Sequence, residues 1–388
     1  MDRYILVGLI AFMISVASGC NMLTPVPSAT SFPASSTFSY ARPDDVGLSC
    51  CKVESLAGRV HKWVKQGKIV GAEVIVIKND KIVLHDALGW SDREGRIPLE
   101  RNSIYRIRSM TKPFIGTAVL ILAEEGRLSL DDTVARYIQS FDNERSGGIT
   151  IHQLLTHTAG YVQGVYPSDY WNAPTLREAV DKIGRMGPHH PPGESFRYSD
   201  LSTATLGALV AEITGDPVER FLESRIFVPL GMSDTHTFFA PNVVWAARMN
   251  STYKRGWFGW KRYWDNTKKQ AAPFFRASGG IYTTVFDYAR FLSVWMDYGK
   301  YDGGRILSRS SILEALKETS TANYGCHWSI YNDSTSTKEL CSFGHGGSDG
   351  TIAIAYPKLD MLFLYFTQSR GTGTLNEFSA AVREIFKP

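Results

Sequence analysis

The sequence predicts an α+β fold, an α/β sandwich in which helices flank an antiparallel sheet built from both ends of the chain, with a mostly helical lobe inserted between them. Three observations predict it. β-Branched runs separated by turn residues stand near both ends, at Val70–Lys78 and Lys81–Gly89, and again at Gly350–Tyr356 and Met361–Thr367. The middle, residues 131–274, carries apolar residues at helical spacing, broken by Pro and Gly. Finally, 388 residues with 44% hydrophobic content exceed what one compact core usually organises, which favours one large body with an insertion.

Arg3, the apolar run Tyr4 to Val16 and then Ala17-Ser18-Gly19-Cys20 predict an export signal over 1–20. The run is shorter than the ~20 residues that span a bilayer. Its ending resembles a bacterial lipoprotein signal, which implies Cys20 as the lipid attachment site of a chain held in the periplasm or on the outer cell surface. A plain secretory signal or an uncleaved anchor would equally put the body outside the cytoplasm. Residues 21–46, rich in Ser, Thr and Pro, are expected to form a flexible tether, and 47–388 the folded body.

Within that body, helices are predicted near Val53–Gln66, Ser109–Glu125, Ile151–Thr156, Leu176–Met186, Leu201–Ile213, Pro217–Phe227, Val285–Tyr298 and Leu375–Phe386. Pro113 fits a first turn and Gly126 a stop. Further strands are predicted at Ile281–Thr284 and Gly325–Tyr331.

Charge and cysteine content exclude several functions. Forty-two basic residues against 38 acidic ones leave a formal net charge of +4, too balanced to attract nucleic acid. The segment 253–264 interleaves Tyr253, Trp257, Phe258, Trp260, Tyr263 and Trp264 with Lys254, Arg255, Lys261 and Arg262. In an exported chain that pattern reads as a lid, a wall-polymer contact, a membrane-proximal patch or partly buried core rather than a nucleic-acid site. Cys326 and Cys341 could face each other across a strand pair, and sequence leaves that pairing open. His152 and His157 are five apart and no His-Glu-x-x-His occurs, so neither a metal nor a cofactor is expected.

The chemistry begins at Ser109-Met110-Thr111-Lys112. A serine is a poor nucleophile until a base takes its proton, and a lysine one helical turn away can be that base. At a helix start Ser109 would sit in the positive end of the dipole, and burial would lower the proton affinity of Lys112. The pattern alone is weak, because Ser49 to Lys52 and Ser251 to Lys254 also match it. Only the copy at Ser109 opens an amphipathic helix and is followed, in order, by Tyr198-Ser199-Asp200 and His345-Gly346-Gly347.

With Ile149–Gly160, these motifs resemble the serine β-lactamase and penicillin-binding family, in the branch of class C β-lactamases, D-Ala-D-Ala carboxypeptidases, D-aminopeptidases and β-lactamase-like esterases. The resemblance runs from about residue 53 to the C-terminus. It implies a β-lactamase/transpeptidase-like fold and an exported serine hydrolase that cleaves an amide, lactam or ester through an acyl-serine, without a cofactor. Its substrate would be a small molecule or a peptide, with peptidoglycan fragments among the candidates. Ser109 would be the nucleophile, Lys112 its proton partner and Tyr198 the general base. The N–H groups of Ser109 and Ser348 would form the oxyanion hole, His345 would line the site opposite Lys112, and Asp200, Gly346 and Gly347 would contact substrate.

Two residues depart from the lactamase pattern. His345 stands where that branch has lysine, and Asp200 where the second motif usually ends in asparagine. A neutral His345 attracts a substrate carboxylate weakly. Asp200 cannot donate an amide N–H: it either selects a cationic amine or tolerates plain esters, or else is simply the N-cap of the following helix. Two competing readings remain. One is a non-hydrolytic penicillin- or wall-binding lipoprotein. The other is an α/β-hydrolase using Ser348 of Gly346-Gly347-Ser348-Asp349-Gly350, disfavoured because no histidine follows it.

Overall fold

In the computed structural model, which describes residues 38–387 apart from 269, 271, 320, 321 and 333–338, the chain enters along Ser39–Tyr40 (β1) and forms helix α1, Cys50–Lys65. The hairpin of β2, Gly71–Lys78, and β3, Lys81–Asp92, follows, then β4, Ile97–Pro98, and β5, Tyr105–Arg106. A 3-10 turn over Arg108–Thr111 leads into α2, Lys112–Glu124. The middle of the chain folds as α3, Ile151–Leu155, α4, Leu176–Met186, α5, Asp200–Thr214, and α6, Val218–Leu222, and then the hairpin β6, Thr252–Gly256, and β7, Gly259–Trp264. After β8, Tyr282–Thr283, come α7, Val285–Met296, β9, Lys300–Tyr301, β10, Gly304–Arg305, and α8, Arg309–Ala315. The chain closes with β11, Ser329–Asn332, β12, Leu340–Gly346, β13, Ile352–Tyr356, β14, Met361–Thr367, β15, Ser369–Arg370, and α9, Thr374–Phe386. The export signal 1–20, Cys20 and tether residues 21–37 lie outside the described residues.

The main sheet runs β1-β3-β2-β14-β13-β12-β11, antiparallel except where β1 joins β3 in parallel, so that β2 from one end of the chain pairs with β14 from the other. Period-two alternation on these strands divides the core. Val74 and Val76 of β2, with Phe363 and Tyr365 of β14, face α1 and α9. Ile75, Ile77, Leu362, Leu364 and Phe366 face the larger core, which also holds α2, α5 and α7. Both faces are covered, which is why β14 is buried at every position.

Three expectations are corrected. The last part of the expected tether, 38–46, is folded: Phe38 is buried and packs edge-on against Phe286 at 5.6 Å. The strand expected from Gly325 begins at Ser329, because Gly325 N–H bonds Trp328 O at 2.9 Å and His327 takes φ 60°, making residues 325–328 a turn. Finally, the lobe 131–274, expected to be mostly helical, also carries strands: β6 and β7 form a hairpin that joins β15. Cys326 and Cys341 are free thiols.

A buried polar chain secures β1. His85 Nε2 lies 2.8 Å from Glu73 Oε1, and His85 Nδ1 lies 2.8 Å from Tyr40 Oη. Burial pushes the Glu73 carboxyl well above its usual range and, with Arg101, pushes His85 down to about 3, so both groups are neutral. The folded state therefore keeps a proton on Glu73 that the unfolded chain releases near pH ~4.3, and lacks one on His85 that the unfolded chain keeps up to pH ~6.5; the two effects offset each other between those values, and stability falls as pH rises above ~6.5. Glu73→Gln removes this linkage. Its melting temperature is expected to equal or exceed that of the wild type at pH 7 and to fall less between pH 7 and 9, as calorimetry would show.

Candidate active site

The segment that carries Ser109 is held from two sides. Ile107 N–H donates to Ile281 O at 3.3 Å, and β5 pairs with β8. Arg108 takes φ 52°, a left-handed conformation that costs a residue with Cβ on the order of 1 kcal/mol. The neighbourhood enforces it. Arg108 Nε donates to the fully buried Asp349 at 2.6 Å, and Asp349 also accepts from Tyr263 Oη at 2.9 Å. On the other side, a Cβ at Gly347 would meet Ile107 O at 2.3 Å. Only glycine lets the end of β12 come this close, and so the turn bearing Ser348 stands beside Ser109.

Lys112, the first residue of α2, is completely buried. Its Nζ donates to Asp200 Oδ1 at 2.6 Å and to Ser278 O at 3.2 Å, stands 3.5 Å from Ser109 Oγ, and lies 4.6 Å from the centre of the Tyr198 ring. Sequence reasoning expected burial to weaken its hold on the proton. Burial does oppose the charge, but the Tyr198 and Asp200 oxygens outweigh it and raise the proton affinity of Lys112 above its ordinary value. Lys112 is therefore a cation, not a neutral base.

Asp200 sits in the first turn of α5, and the N-cap is its neighbour Ser199, whose Oγ accepts from Leu201 N–H at 3.2 Å. This replaces the expectation that Asp200 caps the helix. Nor is its carboxylate free for a substrate amine. Besides Lys112 it accepts from Gln163 Nε2 and Tyr166 Oη, each at 3.2 Å, and Arg276 lies at 3.8 Å. Burial works against its ionisation, but Lys112 and Arg276 hold its pKa below the usual carboxylate value.

His345 ends a strand with both ring nitrogens occupied. Nδ1 lies 2.8 Å from Gly346 O, which can only accept, so the ring proton is on Nδ1 and Nε2 accepts from Tyr324 Oη at 3.0 Å. Burial and the nearby Lys112 push its pKa down to about 3. His345 is thus a neutral wall residue, its ring centre 6.3 Å from that of Tyr198. Behind it lies His157, whose ring centre is 4.6 Å from that of Tyr198 and whose Nδ1 faces Ser199 N–H at 3.4 Å.

Ser109, Lys112, Tyr198, Asp200 and His345 are therefore linked in one place through Lys112 and Tyr198, with Gly347 fixing Ser348 alongside. Ser348 itself is exposed on a turn between antiparallel strands β12 and β13. The serine of an α/β-hydrolase requires a strand-to-helix turn, so the local structure removes that alternative. Sequence reasoning missed Gln163, Tyr166, Arg276, Ser278, Tyr324 and Asp349. Only the small-residue run Ser278-Gly279-Gly280 offered a signal, that of close backbone approach. No group of three or more His, Cys, Asp or Glu suited to a metal occurs among the described residues.

The family described as Beta-lactamase matches residues 56–384, and the chain belongs to that family, whose fold supports serine hydrolases. Protein flp of Staphylococcus aureus (strain MRSA252) is 33% identical over 186 residues, 46% of this chain but only 36% of that protein. Protein Rv1367c of Mycobacterium tuberculosis (strain ATCC 25618 / H37Rv) is 26% identical over 355 residues, 78% of this chain and 86% of that one. Among solved structures, EstCE1, a hydrolase with promiscuous acyltransferase activity, superposes with TM-score 0.74 at 20% identity, covering 87% of this chain and 98% of its own. The D-amino acid amidase from Ochrobactrum anthropi SV3 superposes with TM-score 0.69 at 22% identity, covering 87% and 99%. At such identities the structures speak for the fold alone.

Asp200→Ala would strand the buried ammonium, and is expected to cost ~3 kcal/mol in urea unfolding at pH 7. The folded pKa of Asp200 is lowered and that of Lys112 raised. The loss should therefore stay constant from pH 5 to 9, shrinking only as acid titrates the carboxylate or alkali the ammonium.

Proposed function

We propose that this chain is an exported serine hydrolase that cleaves esters or amides through an acyl-serine at Ser109. The observation that carries the reading is the buried Lys112 ammonium held between Asp200, Tyr198 and Ser109. An ammonium that keeps its proton cannot be the base, so that role falls to the phenolate form of Tyr198, whose oxygen faces it. Tyr198 Oη then takes the proton of Ser109 as Oγ attacks the carbonyl carbon, and returns it to the leaving nitrogen or oxygen. In the second half, Tyr198 activates the water that releases the acid. The N–H groups of Ser109 and Ser348 hold the developing oxyanion, each donor being commonly worth ~3 kcal/mol in the transition state.

Specificity follows from the two departures. Asp200 is neutralised by Lys112 and its hydrogen-bond partners, so selection of a cationic amine, one of the roles open to it from sequence, is set aside. His345 carries no charge to draw in a carboxylate. Both features support a substrate whose reacting end is uncharged, an ester or simple amide, over a β-lactam or a D-Ala-D-Ala terminus. The export signal and a lipid on Cys20 belong to the same proposal and rest on the sequence of residues 1–20.

A fluorophosphonate probe should label the wild type and not Ser109→Ala. In a panel of p-nitrophenyl butyrate, D-alanyl-p-nitroanilide, nitrocefin and a D-Ala-D-Ala peptide, the butyrate should turn over fastest. Tyr198→Phe should lose at least ~100-fold in kcat/KM. Because His345 is already neutral, kcat/KM should show no inflection near pH 6.5 that His345→Asn abolishes. Labelling of Ser109→Ala, or nitrocefin as the best substrate, would sink the proposal.

A further inference from the structure

We infer that the β6–β7 hairpin is a lipid-contacting finger that docks on an anionic membrane surface through its tip. The tip is Trp257-Phe258, a two-residue loop between Gly256 and Gly259, with Trp257 96% and Phe258 100% exposed. Such loops ordinarily carry Asn, Asp or Gly, which suit the turn and solvent alike. Two adjacent large aromatics gain nothing there from the fold. Three residues back from the tip on each strand, Lys254 and Lys261 pair directly across the hairpin. Like charges in that relation weaken a sheet. With Arg255, both lysines are exposed, and none of the three has an ion-pair partner among the described residues.

The acidic groups nearby are already committed. Glu94 accepts from Tyr253 Oη at 2.7 Å and pairs with Arg93 at 3.2 Å, and Asp92 pairs with Arg262 at 2.6 Å. The hairpin is braced rather than loose: Trp260 Nε1 donates to Gly67 O at 2.9 Å and Arg93 Nη2 to Trp260 O at 3.1 Å. The β3–β4 hairpin against which it leans adds exposed Trp90 and Ile97. Aromatics at a tip with cations two to three residues behind, none of them in an ion pair among the described residues, match a headgroup layer in depth order, apolar rings inward and ammonium groups at the phosphates. A soluble acidic protein would satisfy the cations but leave the tip rings without a partner, so the charge and the aromatics together favour lipid. The base of the same hairpin supplies Tyr263 to Asp349 beside Ser348. Docking would hold the cleft about 20 Å from the surface, six strand residues away.

The nine tryptophans all lie beyond residue 60, so quenching by bromolipid reports the folded body and not residues 1–37. The full chain bound to brominated phosphatidylglycerol vesicles should lose part of its tryptophan emission. Trp257→Ala/Phe258→Ala should cut that loss at least twofold, and Lys254→Glu/Lys261→Glu should cut it on phosphatidylglycerol but not on phosphatidylcholine. Near-ultraviolet circular dichroism should show both variants folded as the wild type. Absence of quenching in the wild type, or equal quenching in the tip variant, would overturn the inference. So would a wild-type dimer in light scattering that the tip variant dissociates, because the tip would then meet a second copy.

Discussion

The buried ammonium of Lys112 sets the terms for the rest of the structure. Removing a charge from water costs several kcal/mol even after relaxation, and it is tolerated only where oxygens from elsewhere converge on it. Here they come from the start of α5, the turn before β8 and the Tyr198 ring, 86 residues or more along the chain. The helical lobe and the second half of the sheet must therefore both be in place before the segment at Ser109 is stable. A second pair, Arg108–Asp349, repeats the logic across 241 residues and joins that segment to the turn after β12. Assembly of the site and completion of the fold are on this view the same event.

That arrangement depends on a sheet closed by distant strands. β2 and β14 pair over seven residues, which fixes β13 and then β12 in register beside them. A one-residue slip would send Leu362 and Leu364 to the α1–α9 side and point every neighbour the wrong way. The register is therefore held by burial on both faces, and it delivers Gly347 to Ile107 with no room for a side chain. Packing far from the cleft thus decides where the Ser348 N–H can be.

How much of this was legible depended on whether the information was local. β14 and α4 occupy the predicted spans, and the ends of α2, α5 and α9 fall within a few residues of prediction, because each carries its own periodicity. The order Ser109, Tyr198, His345 was readable because each stands in a short motif. Gln163, Tyr166, Arg276 and Tyr324 stand in no motif, and their roles exist only through contacts that loops make after folding. The charge on Lys112 was misread for the same reason: burial was foreseeable from the helix, the two oxygens opposing it were not. The hairpin at 252–264 hid in composition, since only its register shows Tyr253 and Arg262 on one face and Lys254 and Lys261 on the other.

The two departures from the lactamase pattern also make sense together. A lysine in place of His345 would add a second cation to a wall where Lys112 already uses Asp200, and whose remaining neighbours, Tyr324 and the Gly346 carbonyl, offer no negative charge. An asparagine in place of Asp200 would leave Lys112 with one anionic partner fewer. Aspartate at one position and neutral histidine at the other keep the buried site near electrical balance without help from a substrate. A site balanced in its own charges gains little by binding a carboxylate, and under the proposed mechanism its transition-state stabilisation would come from the N–H groups beside Ser109 and from the Lys112–Tyr198 contact.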